Sequence, residues 1–104
     1  MEHAVIAHLR LTENKFGSER ERAAVTVRAD DLMHVIGEKQ AGEFDGEEFG
    51  DGRCVLYMYG PDADRLFDVV EPILKAAPLA RGGFAIKRYG DASDANPVEV
   101  RINL

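Results

Sequence analysis

Arg53-Cys54-Val55-Leu56-Tyr57-Met58-Tyr59-Gly60-Pro61-Asp62-Ala63-Asp64 is the stretch on which the fold turns. Residues 53–59 are dense in β-favouring side chains and predict a strong strand. Alternation sends Cys54, Leu56 and Met58 to one side and Arg53, Val55, Tyr57 and Tyr59 to the other. A helix is expected to open directly afterwards. Proline suits a first helical position, and Asp62 and Asp64 complement the positive end of the helix dipole. Leu66, Val70, Ile73 and Ala77 supply its apolar stripe. Pro72 is expected to kink it or to tighten its last turns.

Upstream, Gly50-Asp51-Gly52 has turn chemistry and residues 42–49 form a weak strand, so a hairpin is expected. Ser18-Glu19-Arg20-Glu21 spells a capping box. Val25, Ala29, Leu32 and Ile36 follow at three- and four-residue spacing, which predicts a helix over 19–40 with Gly42 just past its end. Ala24-Val25-Thr26-Val27 offers a rival, a short strand ahead of a helix starting at Asp30. Gly37 also costs a helix about 1 kcal/mol relative to alanine. The capping box and the stripe agree, and the long helix is the expectation. Residues 3–11 alternate as a first strand, 84–89 form a fourth, and 98–104 alternate as a fifth.

The order strand, helix, hairpin, helix, strand, strand predicts an α+β domain spanning 1–104. It fits a ferredoxin-like two-layer sandwich, βαββαβ plus one C-terminal strand, with an antiparallel sheet and both helices on one face. The 13 basic and 19 acidic side chains give a formal charge of −6. That balance disfavours nucleic acid and anionic membranes as partners. The single cysteine, Cys54, forms no internal disulfide. Residues 4–9, interrupted by His8 and preceded by Glu2, read as neither a membrane span nor a secretory signal, and a cytoplasmic location is expected.

Three stretches, Gly42-Glu43-Phe44-Asp45-Gly46, Tyr57-Met58-Tyr59-Gly60-Pro61-Asp62-Ala63-Asp64 and Val70-Glu71-Pro72, carry a likeness. With the element order around them, the chain resembles a family of small, functionally uncharacterised bacterial proteins of about this length. The resemblance implies the fold and no activity.

No catalytic constellation stands out. Glu43, Asp45, Glu47, Glu48 and Asp51 lack the spacing of a calcium loop and read as a charged sheet edge. Asp62 and Asp64 read as helix-capping groups. Cys54 shares parity with Leu56 and Met58 and reads as a core residue. His3, His8 and His34 show no ligand spacing with one another or with Cys54. Neither a nucleophile elbow nor a phosphate-binding glycine loop is present. No metal, cofactor or catalytic residue is expected.

The helix-free sheet face is the candidate site. Ile6, His8 and Arg10 are expected there from the first strand, and Tyr57 and Tyr59 from the third. Lys87 and Tyr89 are expected from the fourth strand and Arg101 from the fifth. An aromatic, basic face on an acidic protein suits a non-catalytic protein-binding or self-associating module, with a second copy or another protein as partner. Alternatives are a small-molecule or enzymatic pocket closed by dimerisation, with His8 as acid or base, and single-stranded RNA stacked on the tyrosines.

Overall fold

The computed structural model describes residues 2–104. Its first helix, α1, spans Glu19–Glu38, so residues 24–27 are helical and the rival strand does not form. Ser18 accepts from the Glu21 amide at 3.1 Å, and the Glu21 carboxylate accepts from the Ser18 amide at 3.3 Å. Val25, Ala29, Leu32 and Ile36 are buried.

The helix ends at Glu38 with Lys39 as its C-cap, earlier than the expected residue 40, and without a glycine cap. Gln40 takes the left-handed conformation (φ 52°). Its amide donates to Gly37 O and that of Ala41 to Ile36 O, the two bonds of a Schellman motif. Gly42 serves another purpose. Its φ is +145°, and a Cβ there would lie 1.9 Å from the Tyr59 carbonyl oxygen, so only glycine permits the chain to pass.

Five strands form one antiparallel sheet: β1 (His3–Arg10), β2 (Glu43–Gly50), β3 (Arg53–Gly60), β4 (Phe84–Tyr89) and β5 (Val98–Asn103). Their spatial order is β2-β3-β1-β4-β5. Asp51 and Gly52 join β2 to β3, and both have positive φ, as a two-residue type I′ hairpin turn requires. The β2 ladder shifts register between Phe44 and Gly46, which leaves Asp45 as the bulged residue.

Helix α2 spans Ala63–Ala76. Asp62 is its N-cap and accepts from the amides of Asp64 and Arg65, so Pro61 precedes the cap rather than occupying the first helical position. The helix continues through Pro72 and tightens at its end. There the Ala77 amide reaches Leu74 O, and a 3-10 turn follows over Pro78–Ala80. Arg65 donates to the carbonyls of Lys39 and Gln40, tying the start of α2 to the end of α1.

One apolar cluster joins these elements. Val5, Ala7 and Leu9 of β1 and Cys54, Leu56 and Met58 of β3 pack with Val25, Leu32 and Ile36 of α1 and Leu66, Val70 and Leu74 of α2. Cys54 is fully buried, and burial, aided by the Glu47 carboxylate, pushes its thiol up to about 12.

Glu21 reaches further than a capping box. Although only 4% exposed, its carboxylate also accepts from the Thr12 amide at 2.9 Å and the Glu13 amide at 3.3 Å. It therefore fastens the chain leaving β1 to the first turn of α1. The bond from Thr12 is the main cause that holds its carboxyl below the ordinary value, with burial opposing. A depressed carboxyl contributes stability that is present above the unfolded value of about 4.3 and lost as pH falls through the folded value. Glu21→Ala is expected to cost about 1–3 kcal/mol in chemical denaturation at pH 7. The variant should also lose less stability than the parent when both are acidified below pH 4.3.

Candidate binding face

Residues directly opposite in an antiparallel ladder lie on the same face, so register assigns the faces without reference to polarity. β1 lies between β3 and β4 and sets both. Ala4 pairs with Tyr59 and Arg88, Ile6 with Tyr57 and Ile86, and His8 with Val55 and Phe84. Arg10 pairs with Arg53. On β5, Glu99 stands opposite Arg88 and Arg101 opposite Ile86. On β2, Glu43 stands opposite Tyr59 and Glu48 opposite Val55. These residues form the face turned away from the apolar cluster. Ile6, His8, Val55, Tyr57, Tyr59, Phe84 and Ile86 are all part-buried on it.

Ile6, His8, Arg10, Tyr57, Tyr59 and Arg101 therefore share this outer face. Lys87 and Tyr89 do not, which corrects the sequence-based assignment. Val5 pairs with Lys87 and Ala7 with Ala85, so Lys87, like Ala85, belongs to the core parity, and Tyr89 follows. Polarity misleads in β4 because its two largest apolar side chains before Tyr89, Phe84 and Ile86, point outward. The small Ala85 is the one fully buried. Lys87 instead passes the Phe67 ring of α2 and pairs with the Asp64 carboxylate at 2.8 Å. The Tyr89 hydroxyl donates to the same carboxylate. His3 stands edge-on to Tyr89 and accepts from the Ala63 amide at 3.1 Å. Asp64 is thus the pin between β4 and the start of α2, and Lys87 is the leading cause that holds its carboxyl low.

Across the outer face, charge is sorted. Arg10 and Arg53 are exposed and opposed at one end of β1 and β3. Neither they nor Arg101 forms an ion pair among the described residues. Arg101 lies over the Phe84 ring at 3.8 Å, and Phe84 stacks on His8 at 4.5 Å. His8 Nδ1 is buried and makes no hydrogen bond. Burial first, then the fields of Arg53 and Arg101, push the His8 imidazole below its ordinary value. A cleft of about 320 Å³ lies at this end, lined by His8, Arg10, Asp51, Arg53, Gly83 and Phe84 among others. The opposite end of the face and its β2 edge carry Glu2, Glu43, Asp45 and Asp91 around Tyr59.

In chemical terms the face offers an apolar strip ending in unpaired guanidinium groups. Such an end takes a carboxylate or a phosphate oxygen. No group of three or more His, Cys, Asp or Glu side chains able to hold a metal ion converges among the described residues. Phe84, Ile86 and Arg88 are face residues that sequence periodicity misses. Only their pairing with Ile6, His8 and Ala4 reveals them.

No family model and no curated protein matches the chain. A solved structure described as a tRNA fluorescent labeling enzyme is similar over 88% of this chain at 18% identity, with a TM-score of 0.45. The chain spans 24% of that structure's length.

Like charges placed directly opposite in a ladder destabilise it. Replacing one of the opposed arginines, Arg53→Thr, is expected to raise stability by a few tenths to about 1 kcal/mol at low ionic strength. The gain should shrink towards 1 M salt as screening shortens the reach of the repulsion. Thermal melts across a salt series check both the sign and the salt dependence.

Proposed function

We propose that the chain is a ferredoxin-like sandwich with both helices on one face, acting as a non-catalytic protein-binding module through the other. The strand order β2-β3-β1-β4 with β5 added at an edge supports the fold assignment. So does the single apolar cluster shared by both helices and the inner side of β1 and β3. The occupant of the outer face is an extended segment of a partner protein, with apolar side chains on Tyr57, Ile6 and Ile86 and carboxylates at Arg10 and Arg53.

The observation that carries this reading is the Arg10–Arg53 pair. It places two like charges side by side in the ladder, and neither is held in an ion pair among the described residues, although Asp51 lines the same cleft. A bound carboxylate converts that repulsion into two charge-assisted contacts. Tyr57 and Arg are residue types that concentrate binding energy at interface centres. Glu43, Glu48 and Asp45 on the β2 side, with the net charge of −6, repel a continuous phosphate backbone while leaving room for localised carboxylates. The apolar strip extends beyond the cleft, where a small anion has nothing to contact, and so a side-chain-bearing segment fits better.

Amide and imidazole NMR shifts recorded during titration with a hexapeptide alternating Glu and Leu test the reading. Shifts are expected at His8, Arg53, Tyr57 and Ile86, together with a rise in the His8 titration midpoint as a carboxylate offsets the neighbouring guanidinium fields. The Lys–Leu counterpart should leave these signals in place. Arg53→Glu should abolish the response, and Tyr57→Ala should weaken it by about tenfold. Absence of shifts at millimolar peptide overturns the proposal. The same shifts produced by inorganic phosphate alone also overturn it, in favour of a small-anion site.

A further inference from the structure

The sheet has two edges, and they are built differently. β2 carries Glu43, Asp45, Glu47 and Glu48 in close succession and is bulged at Asp45. Charge and irregularity of this kind block pairing with another strand. β5 has neither. It reads Val98-Glu99-Val100-Arg101-Ile102-Asn103, pairs with β4 without a register shift, and leaves its other side open. Val98 is 64% exposed and Val100 42%, although both lie on the core parity of the sheet, opposite Tyr89 and Lys87.

We infer that β5 is a homodimerisation edge, pairing antiparallel with β5 of a second copy about a two-fold axis through Val100. The hydrogen-bond alternation fixes which groups are free. Leu104 donates to Gly83 O at 3.1 Å, so alternation turns the amides and carbonyls of Ile102, Val100 and Val98 towards β4. Those of Glu99, Arg101 and Asn103 then face outward. A two-fold axis at Val100 sets Glu99 opposite Arg101 of the second copy, and Arg101 opposite its Glu99. Both pairs fall at positions whose main-chain groups are free to bond.

The side chains agree with the same register. Each Glu99 meets an Arg101 on the outer face, giving two opposite-charge cross-strand pairs. On the other face Val100 meets Val100, and Val98 meets Ile102, which covers both exposed valines. A register one residue away loses all of these matches at once, because it turns every side chain of one strand to the wrong face. Pro97, which has no amide hydrogen, limits the ladder just before β5 begins. The product is a continuous sheet in which the outer faces of both copies lie on one side, with Arg10 and Arg53 of each left uncovered.

Sedimentation equilibrium of the whole chain across a concentration series tests this, with folding of each variant checked by circular dichroism. The parent is expected to show a reversible monomer–dimer equilibrium. Arg101→Glu and Glu99→Arg should each weaken dimerisation by about tenfold or more, since each replaces two attractive pairs with two repulsive ones. The double variant carrying both changes should recover the dimer, because the two charges merely exchange places. Val100→Lys should be monomeric by a route independent of Arg101 and its contact with Phe84. Tyr57→Ala, on the outer face, should dimerise like the parent. A parent that stays monomeric at several hundred micromolar overturns the inference. A dimer that tolerates Arg101→Glu, or that the double variant fails to recover, overturns it as well.

Discussion

The register of β1 against its two neighbours is the constraint on which the rest of this molecule depends. β1 is the central strand, and its pairs with β3 and β4 determine at once which side chains enter the core and which form the outer face. A slip of one residue would exchange Val5, Ala7 and Leu9 for Ile6, His8 and Arg10 beneath the helices. The cost of burying Arg10 and His8 there, without partners, forbids that alternative. The same register that places apolar side chains inside therefore compels Arg10 and Arg53 to stand opposed outside.

Polar groups hold the helices to this sheet at positions where apolar packing runs out. Glu21 gathers the amides of Thr12, Glu13 and Ser18, fixing how α1 leaves β1. Asp64 gathers Lys87 and Tyr89, fixing α2 against β4. Arg65 meets the carbonyls at the end of α1. These anchors lie at element ends beside the core. They leave the guanidinium groups of Arg10 and Arg53 uncommitted on the other side.

Much of this was legible in the chain, for identifiable reasons. Ser18 and Glu21 announce the start of α1 because a capping box needs only local geometry. The strong alternation of residues 53–59 places Tyr57 and Tyr59 correctly relative to Leu56 and Met58, since period-two patterning is also local. β4 is different. In Phe84-Ala85-Ile86-Lys87-Arg88-Tyr89 the polar residues invite an outward assignment for Lys87 and Tyr89. A lysine stem lying along Phe67 towards Asp64 defeats that inference, because long side chains carry their charge out from apolar surroundings. Which parity of β4 faces the core depends on its pairing with β1, a contact between residues some eighty positions apart. The end of α1 was similarly hidden. A left-handed Gln40 closes a Schellman motif that sequence conventions reserve for glycine or asparagine, and Gly42 was needed for the close passage past Tyr59.

The electrostatic layout carries one more consequence. Acidic residues outnumber basic ones, and some of the cations have a carboxylate within reach. Arg20, Arg28, Lys75 and Lys87 have such partners. Among the described residues Arg10, Arg53 and Arg101 have none within ion-pair distance. The same is true of Lys15, Arg22, Lys39, Arg65, Arg81 and Arg88, but the first three present their side chains on the outer side of β1, β3 and β5. Stability alone gives no reason to concentrate unpaired cations there, since one substitution would relieve the opposed pair. Carboxylates on β2 and around Tyr59 guard one edge of the sheet and leave the other to a strand whose single Glu and single Arg are mutual complements. On the proposed reading, separation of this kind would make the face and the β5 edge selective by charge. An acidic group would be drawn to the arginine end, repelled from the β2 side, and oriented before any apolar contact forms.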